Sequence, residues 1–282
     1  MTAAMTDKIK LAVIGSPVEH SLSPSIHARF AKALGIDIEY SRIDVTRDTL
    51  ADFIKRAADT HNQNCERVSC ALDGFNITMP LKEAIIPYLA ELDATARECA
   101  AVNTVVVRRG GLFGYNTDGA GVVRSLQTAV PDLRGKAALI LGAGGAAKAA
   151  LAALHNEGAA VTILTRRDAA HDVFSAESLA PLATAADIII NATPLGMSRG
   201  ADSVEFSDLS WLGAIKPGAV ILDAVYNPPQ TRLLTRAREL GITALGGFGM
   251  LAYQAQEAFT LFTGTPPPTG LAATIWRELE TG

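Results

Sequence analysis

Apolar positions along this chain follow two rhythms. Short apolar runs are closed by glycine or a polar turn, and most are followed by longer stretches in which apolar residues recur every three or four positions. The first rhythm predicts buried strands and the second amphipathic helices. Strands are expected at Lys10 to Ile14, Ile38 to Val45 and Ala71 to Ile77, and helices at Pro24 to Leu34, Thr49 to Ala58 and Leu81 to Leu89. Pro24 and Pro80 stand where helices open, and Ser23 is the expected N-cap of the first helix. Asp59 to Ser69 is polar and irregular, suited to a surface loop or a frayed helix end. Asp93 to Ala100 is expected as a helix. The strands Ala101 to Val107 and Leu112 to Tyr115 flank an Arg-Arg-Gly-Gly turn and predict a hairpin. A helix from Ala120 to Ala129 would then be capped by Thr117 or Asp118.

The second half repeats the strand-then-helix order. Ala137 to Leu141, Ala160 to Leu164, Asp187 to Ile190 and Ala219 to Val225 fit strands, and Thr231 to Leu240 and Leu271 to Leu279 fit helices. From Met250 onward, Leu251, Ala255, Ala258 and Phe262 make one apolar helix face that also carries Gln254. Ser198 to Asp208 is polar and expected as a loop. The pattern predicts an α/β protein of two domains with mostly parallel sheets, whose ligands lie beyond the C-terminal ends of the strands.

Composition narrows the class. A chain of 282 residues, 49% hydrophobic and 19% charged, has ample core for globular folding. A formal net charge of -4 with no basic run argues against nucleic acid as a partner. Cys65, Cys70 and Cys99 form no C-x-x-C pair, so free thiols in a cytoplasmic location are expected. The apolar run after Lys8 and Lys10 stops at Gly15, too short for a secretion signal, and no stretch has the length of a membrane span. The five histidines lack metal-ligand spacing, so no metal is expected.

Chemistry concentrates at a few places. Gly142, Gly144 and Ala147 fit G-x-G-x-x-G/A between a strand and an alanine-rich helix. There the first glycine makes the turn, the second admits a pyrophosphate, and the helix N–H groups face the phosphates. About twenty positions on, where NAD-selective folds usually carry an acid, stand Thr165, Arg166 and Arg167, suited to the 2′-phosphate of NADP. Ser21 and Ser23 place two hydroxyls beyond a strand end, able to bind a carboxylate or a polyol. Lys82 would sit in a helix's first turn, against the dipole, with an amine disposed to exchange a proton. A buried Gln254 needs partners, either within the chain or from a ligand's hydroxyls.

These residues resemble the shikimate dehydrogenase family. The matches are Ser-Leu-Ser-Pro (21–24), Asn-Ile-Thr-Met-Pro-Leu-Lys (76–82), Ala-Val-Asn-Thr (101–104), Asn-Thr-Asp-Gly (116–119), Gly-Ala-Gly-Gly-Ala (142–146), Asn-Ala-Thr-Pro-Leu-Gly-Met (191–197), Tyr-Asn-Pro (226–228) and Gly-Met-Leu-x-x-Gln (249–254). The resemblance implies reversible NADP-dependent reduction of 3-dehydroshikimate to shikimate, in aromatic amino acid biosynthesis. It implies a substrate domain of residues 1–117 plus 246–282 and a Rossmann-like NADP domain of residues 118–245. Lys82 and Asp118 would be the catalytic pair. Ser21, Ser23 and Tyr226 would hold the substrate carboxylate, and Asn76, Thr78, Asn103, Asp118 and Gln254 the ring hydroxyls. Gly142, Ala143, Gly144, Gly145, Ala146, Thr165, Arg166, Arg167, Asn191, Thr193, Gly247 and Met250 would hold the cofactor. Monomer and homodimer both remain open.

The chain departs from the family in the short stretch Asp168 to Ala186, and it lacks a third basic residue after the arginine pair. A dual quinate/shikimate or an aminoshikimate dehydrogenase is the near alternative. Quinate users of the family often carry threonine at the second serine position, so Ser23 favours shikimate. A cofactor-binding regulator without turnover is the distant alternative.

Overall fold

The computed structural model describes residues 8–59, 72–109, 111–165, 174–198 and 204–281. The chain divides into two compact units, residues 1–117 with 254–275, and residues 118–253 with 276–282. Residues 246–253 and 276–282 group with the second unit, whereas the resemblance implied a substrate domain that takes in all of 246–282.

The first unit begins with β1 (Ile9–Gly15), α1 (Ser23–Leu34), β2 (Ile38–Asp44), α2 (Leu50–Asp59) and β3 (Gly74–Ile77). After β3 come β4 (Glu91–Leu92), α3 (Ala94–Cys99), β5 (Thr104–Arg108) and β6 (Gly111–Tyr115). One sheet orders them β2-β1-β3-β5-β6-β4. The pairs β2–β1–β3 are parallel, whereas the β5–β6 hairpin joins β3 antiparallel. Leu11 to Ile14 are all buried, as a strand covered on both faces requires. Phe75, Leu81, Ile85, Val102 and Val105 build the core beneath. Gly15 ends β1 where a Cβ would stand 2.7 Å from the Met79 carbonyl, so the chain after β3 closes tightly over it.

Two local expectations fail here. Leu81 to Leu89 is not an α-helix but a run of turns ending in a 3₁₀ turn at Ile86–Tyr88. Pro87 has no N–H to give the carbonyl of Glu83, and that carbonyl accepts from Ile86 instead, at 3.3 Å. Lys82 therefore opens no helix, and the dipole invoked for its amine is absent. Ser23 is not an N-cap either. It lies inside α1, Leu22 before it is already in the helical region, and no side chain caps the helix. The Ser23 hydroxyl is engaged elsewhere.

The second unit is doubly wound. It contains α4 (Asp118–Gln127), β7 (Ala137–Leu141), α5 (Gly145–Asn156), β8 (Ala160–Leu164), α6 (Ala176–Ala185) and β9 (Ile188–Asn191). β10 (Val220–Asp223), α7 (Arg232–Glu239) and β11 (Thr243–Leu245) follow, then α8 (Gly247–Thr263) and α9 (Leu271–Thr281), within both of which the division between units falls. Five parallel strands stand in the order β11-β10-β9-β7-β8. The order reverses at β7, whose neighbours are β8 and β9. In open α/β sheets the crevice at such a reversal is where ligands bind. α6 and β11 were not expected from the pattern, being respectively interrupted by Pro181 and only three residues long.

Candidate active site

In the first unit, side chains far apart in sequence meet at one end of the sheet. β3 delivers Asn76, the start of β5 supplies Asn103 and Thr104, the end of β6 leads to Thr117, and α8 brings Gln254. All five are buried. Asn76 Nδ2 donates to Thr104 Oγ1 at 2.9 Å and to the Asn103 carbonyl at 3.2 Å. Asn103 Nδ2 donates to Thr117 Oγ1 at 2.9 Å and to Gln254 Oε1 at 3.3 Å. Asn103 Oδ1 accepts from Thr104 Oγ1 and from the Thr117 amide, at 3.0 and 2.8 Å. The single proton of the Thr117 hydroxyl has two acceptors in reach, Asn103 Oδ1 at 3.2 Å and Gln254 Oε1 at 3.3 Å. These bonds join neutral hydroxyls and amides, and the Thr117 proton has more than one place to go.

Tyr40, on β2, extends this network to the serines. Its hydroxyl donates to Asn76 Oδ1 at 2.6 Å and also hydrogen-bonds Ser23. Burial drives the phenol well above its ordinary value, against the smaller effect of Ser23, so it stays protonated and keeps donating. Ser21 Oγ donates to Ser23 Oγ at 3.3 Å. Thus Ser21, Ser23, Asn76, Asn103 and Gln254 form one connected set. Tyr40, Thr104 and Thr117 belong to it although the motifs did not assign them to the substrate. The usable signal was the alternation along β2, which puts Tyr40 and Arg42 on one face. Thr78 follows β3 with its amide donating to the Ile14 carbonyl at 2.9 Å. Lys82 is half-buried, and its carbonyl accepts from the Val102 amide at 2.8 Å, which ties its backbone to the residue before Asn103. Asp118 is buried at the first position of α4 and directly follows Thr117. Tyr226 belongs to the second unit, where its ring lies 6.0 Å from that of Phe248 and burial raises its phenol.

The second unit carries the glycine turn at the strand reversal. Gly142 has φ +113°, which a side chain rarely adopts, and a Cβ there would meet the Ala192 carbonyl at 3.0 Å. Its amide donates to the Leu164 carbonyl at 2.8 Å. Gly144 is exposed, extended and open on its Cβ side, and it caps α5 without a side-chain bond. The first intrahelical bond runs from Lys148 to Gly144 at 3.0 Å. The amides of Gly145, Ala146 and Ala147 thus precede the helical ladder, at the positive end of a 12-residue helix. Ala143 is half-buried between them, and Ala147 is fully buried against the sheet. This arrangement fits a pyrophosphate. Thr165 follows β8, half-buried, while Arg166 and Arg167 lie outside the described residues.

Beside that turn, Asn191 faces inward. Its Nδ2 donates to Asp223 Oδ1 at 2.9 Å and to the Leu195 carbonyl at 3.1 Å, while its Oδ1 accepts from the Thr193 hydroxyl at 2.6 Å and the Thr193 amide at 3.1 Å. All four hydrogen-bonding capacities of the Asn191 side chain are used inside the unit, so this side chain shapes the turn. Asp223 went unnoticed in the sequence. It is fully buried and accepts also from the Val225 amide at 3.1 Å and the Thr231 hydroxyl at 2.7 Å. Desolvation nevertheless pushes its carboxyl up to about 6, against those three donors. Met250 is buried in the hydrophobic cluster under β7 and β9, and the Gly247 amide donates to the Val225 carbonyl at 3.3 Å. Among the described residues no group of histidines, cysteines and acids could hold a metal ion, and no helix is long and apolar enough to cross a membrane.

Comparison with known proteins agrees with the motif order. Residues 13–105 match the shikimate dehydrogenase substrate binding domain, and residues 247–273 the shikimate 5'-dehydrogenase C-terminal domain. A Citrifermentans bemidjiense protein named shikimate dehydrogenase (NADP(+)) is 38% identical, the match covering 94% of each chain. The crystal structure of Thermus thermophilus shikimate 5-dehydrogenase in complex with NADP(H) and shikimate superposes with TM-score 0.77 at 31% identity. It covers 96% of this chain and 99% of that one. A ligand-free 5-ketofructose reductase of Gluconobacter sp. strain CHM43 superposes with TM-score 0.74, also at 31% identity, covering 96% of this chain and 99% of that one. With eight motifs in order and more than a third of positions shared along nearly the whole length, the chain belongs to the shikimate dehydrogenase family.

Proposed function

We propose that this protein catalyses the reversible, NADP-dependent reduction of 3-dehydroshikimate to shikimate, within aromatic amino acid biosynthesis. The observation that carries the reading is the uncharged chain of hydroxyls and amides from Ser21 through Tyr40, Asn76 and Asn103 to Gln254. Such a surface suits a small acid bearing several ring hydroxyls, because each hydroxyl both donates and accepts and can enter a network whose own protons have alternative places. The first unit is then the substrate unit, and the second holds NADP.

Bound NADPH supplies the hydride. Lys82 Nζ gives a proton to the carbonyl oxygen as it becomes a hydroxyl, and takes it back in the oxidative direction. Asp118 orients the amine and the reacting hydroxyl. Ser21 and Ser23 receive the carboxylate, with Tyr226 assisting, and Asn76, Thr78, Asn103 and Gln254 fix the ring hydroxyls. The amides opening α5 hold the pyrophosphate, with Gly142 and Gly144 admitting it and Ala143, Gly145 and Ala146 lining the turn. Thr165, Arg166 and Arg167 select the 2′-phosphate. Thr193, Gly247 and Met250 would complete the cofactor site, and Asn191 would act there by shaping the turn that carries Thr193. The protein works in the cytoplasm on small molecules, as a monomer or homodimer, without a nucleic-acid or membrane partner.

A spectrophotometric panel of shikimate, quinate and aminoshikimate against NADP and NAD tests this. Shikimate with NADP should be the preferred pair by kcat/KM. Preference for quinate or aminoshikimate would replace the substrate, preference for NAD would remove the arginine assignment, and no turnover with any pair would favour a cofactor-binding regulator.

A further inference from the structure

Tyr40 and Arg42 are two residues apart on β2 and so project from the same face of the sheet. Tyr40 hydrogen-bonds the side chain of Ser23. Arg42 holds the other serine. Its Nε and Nη2 both donate to the Ser21 carbonyl, at 2.9 and 2.8 Å. The Ser21 amide is meanwhile turned back onto the Val18 carbonyl at 3.1 Å, so Ser21 is fixed from both sides of its backbone. One strand thus engages both serines, Ser21 through its carbonyl and Ser23 through its side chain.

Two of the five guanidinium N–H groups serve that carbonyl. Neither Asp44, on the same strand face, nor any other described acid forms an ion pair with Arg42. Among the described residues, therefore, an exposed cation without an acidic partner adjoins the Ser21 backbone. A lysine would supply the charge, but its single nitrogen cannot grip the carbonyl with a rigid two-pronged fork.

We propose that Arg42 is a positioning and specificity-determining residue for the anionic end of the substrate. It locks Ser21 through the backbone and adds the positive field that draws a carboxylate to the Ser21–Ser23 pair. The inference rests on the reading, given above, that these serines receive the carboxylate.

The test is steady-state kinetics of full-length wild type, Arg42→Met and Arg42→Lys with shikimate and NADP, across a series of salt concentrations, with circular dichroism confirming the fold. Wild-type kcat/KM for shikimate should fall as salt rises, because the steering charge is exposed and screened within about 10 Å at 0.1 M salt. Arg42→Met should raise the shikimate KM about 5- to 20-fold and flatten that salt dependence. Its kcat and NADP KM should stay within about twofold of wild type, a split that general loosening of the unit would not produce. Arg42→Lys should keep the salt dependence and raise the shikimate KM about threefold, reporting the lost grip alone. An unchanged shikimate KM in Arg42→Met, an equal salt slope in wild type and Arg42→Met, or an equal rise in the NADP KM would each overturn the inference while leaving the enzymatic reading intact. Wild type inactive on shikimate would overturn both.

Discussion

Both units bury a polar network at one end of their sheet, and the two differ in how their protons are distributed. In the second, each hydroxyl has one donor task and one acceptor task. Thr193 donates to Asn191 and accepts from the Leu195 amide at 3.1 Å, and Thr231 donates to Asp223 and accepts from the Leu234 amide at 3.2 Å. Every bond of the set lies between 2.6 and 3.2 Å and its pattern is unique. In the first, the Thr117 proton is shared between two acceptors, and both bonds to Gln254 Oε1 are 3.3 Å. A network with one arrangement acts as a strut. One with several, at longer distances, accepts a guest hydroxyl by reassigning protons it already shares.

The largest effect that sharpens this contrast comes from Lys82→Ala. Turnover should fall about 10²- to 10⁴-fold with a milder loss of shikimate affinity, while stability changes by less than about 1 kcal/mol. Near-wild-type turnover in that variant would take the proton away from Lys82. Asp223→Ala should do the reverse. It strips the acceptor from Asn191 Nδ2, the Val225 amide and the Thr231 hydroxyl, all within a buried region. A loss of about 3 kcal/mol in urea unfolding is expected, with substrate KM little changed in whatever protein remains folded. Unaltered stability there, with shikimate KM raised instead, would make Asp223 part of a site and not a strut.

Much of this was legible in residue order. The strand, glycine turn and helix from 137 to 156 are set by local features, an apolar run, a position that needs positive φ and an unbroken alanine-rich stretch, so pattern and structure agree there. Where a local cue competed with another, the pattern misled. Pro80 suggested a helix start, but Pro87 prevents the helix from forming, and Ser23 has a capping side chain that Ser21 and Tyr40 claim first. Alternation could give the face on which Tyr40 stands, but not the partners of Tyr40 and Asp223. Their partners Asn76 and Asn191 lie 36 and 32 residues away, so their roles depend on which strands become neighbours. Arg42, 21 residues from Ser21, is the same case. An aspartate at the end of an apolar strand looks like a turn residue until β10 is known to lie beside β9.

The smallest predicted effect sets the two units against each other through pH. His27, on α1, is completely buried among the rings of Phe30, Tyr40, Phe259 and Phe262, with neither ring nitrogen hydrogen-bonded. Burial pulls its imidazole from 6.5 down to about 3. The folded first unit therefore excludes a proton that the unfolded chain binds below about pH 6.5, and its stability falls on acidification. Asp223 has the opposite sign. Its folded value of about 6 lies above the ordinary 3.8, so the folded second unit binds a proton before the unfolded chain does, and acidification stabilises it. Going from pH 7 to 5.5, His27 should cost the first unit about 1 kcal/mol and Asp223 should return a little under 1 kcal/mol to the second. Hydrogen exchange corrected for intrinsic rates reads the units separately. Amides of β1 should lose protection over that interval while those of β9 gain it. His27→Phe should abolish the first trend without touching the second, and Asp223→Asn the second without the first. Parallel behaviour of the two strands, or persistence of both trends in both variants, would mean that other groups govern the acid response and that the contrast between the two buried titrating groups has no thermodynamic consequence.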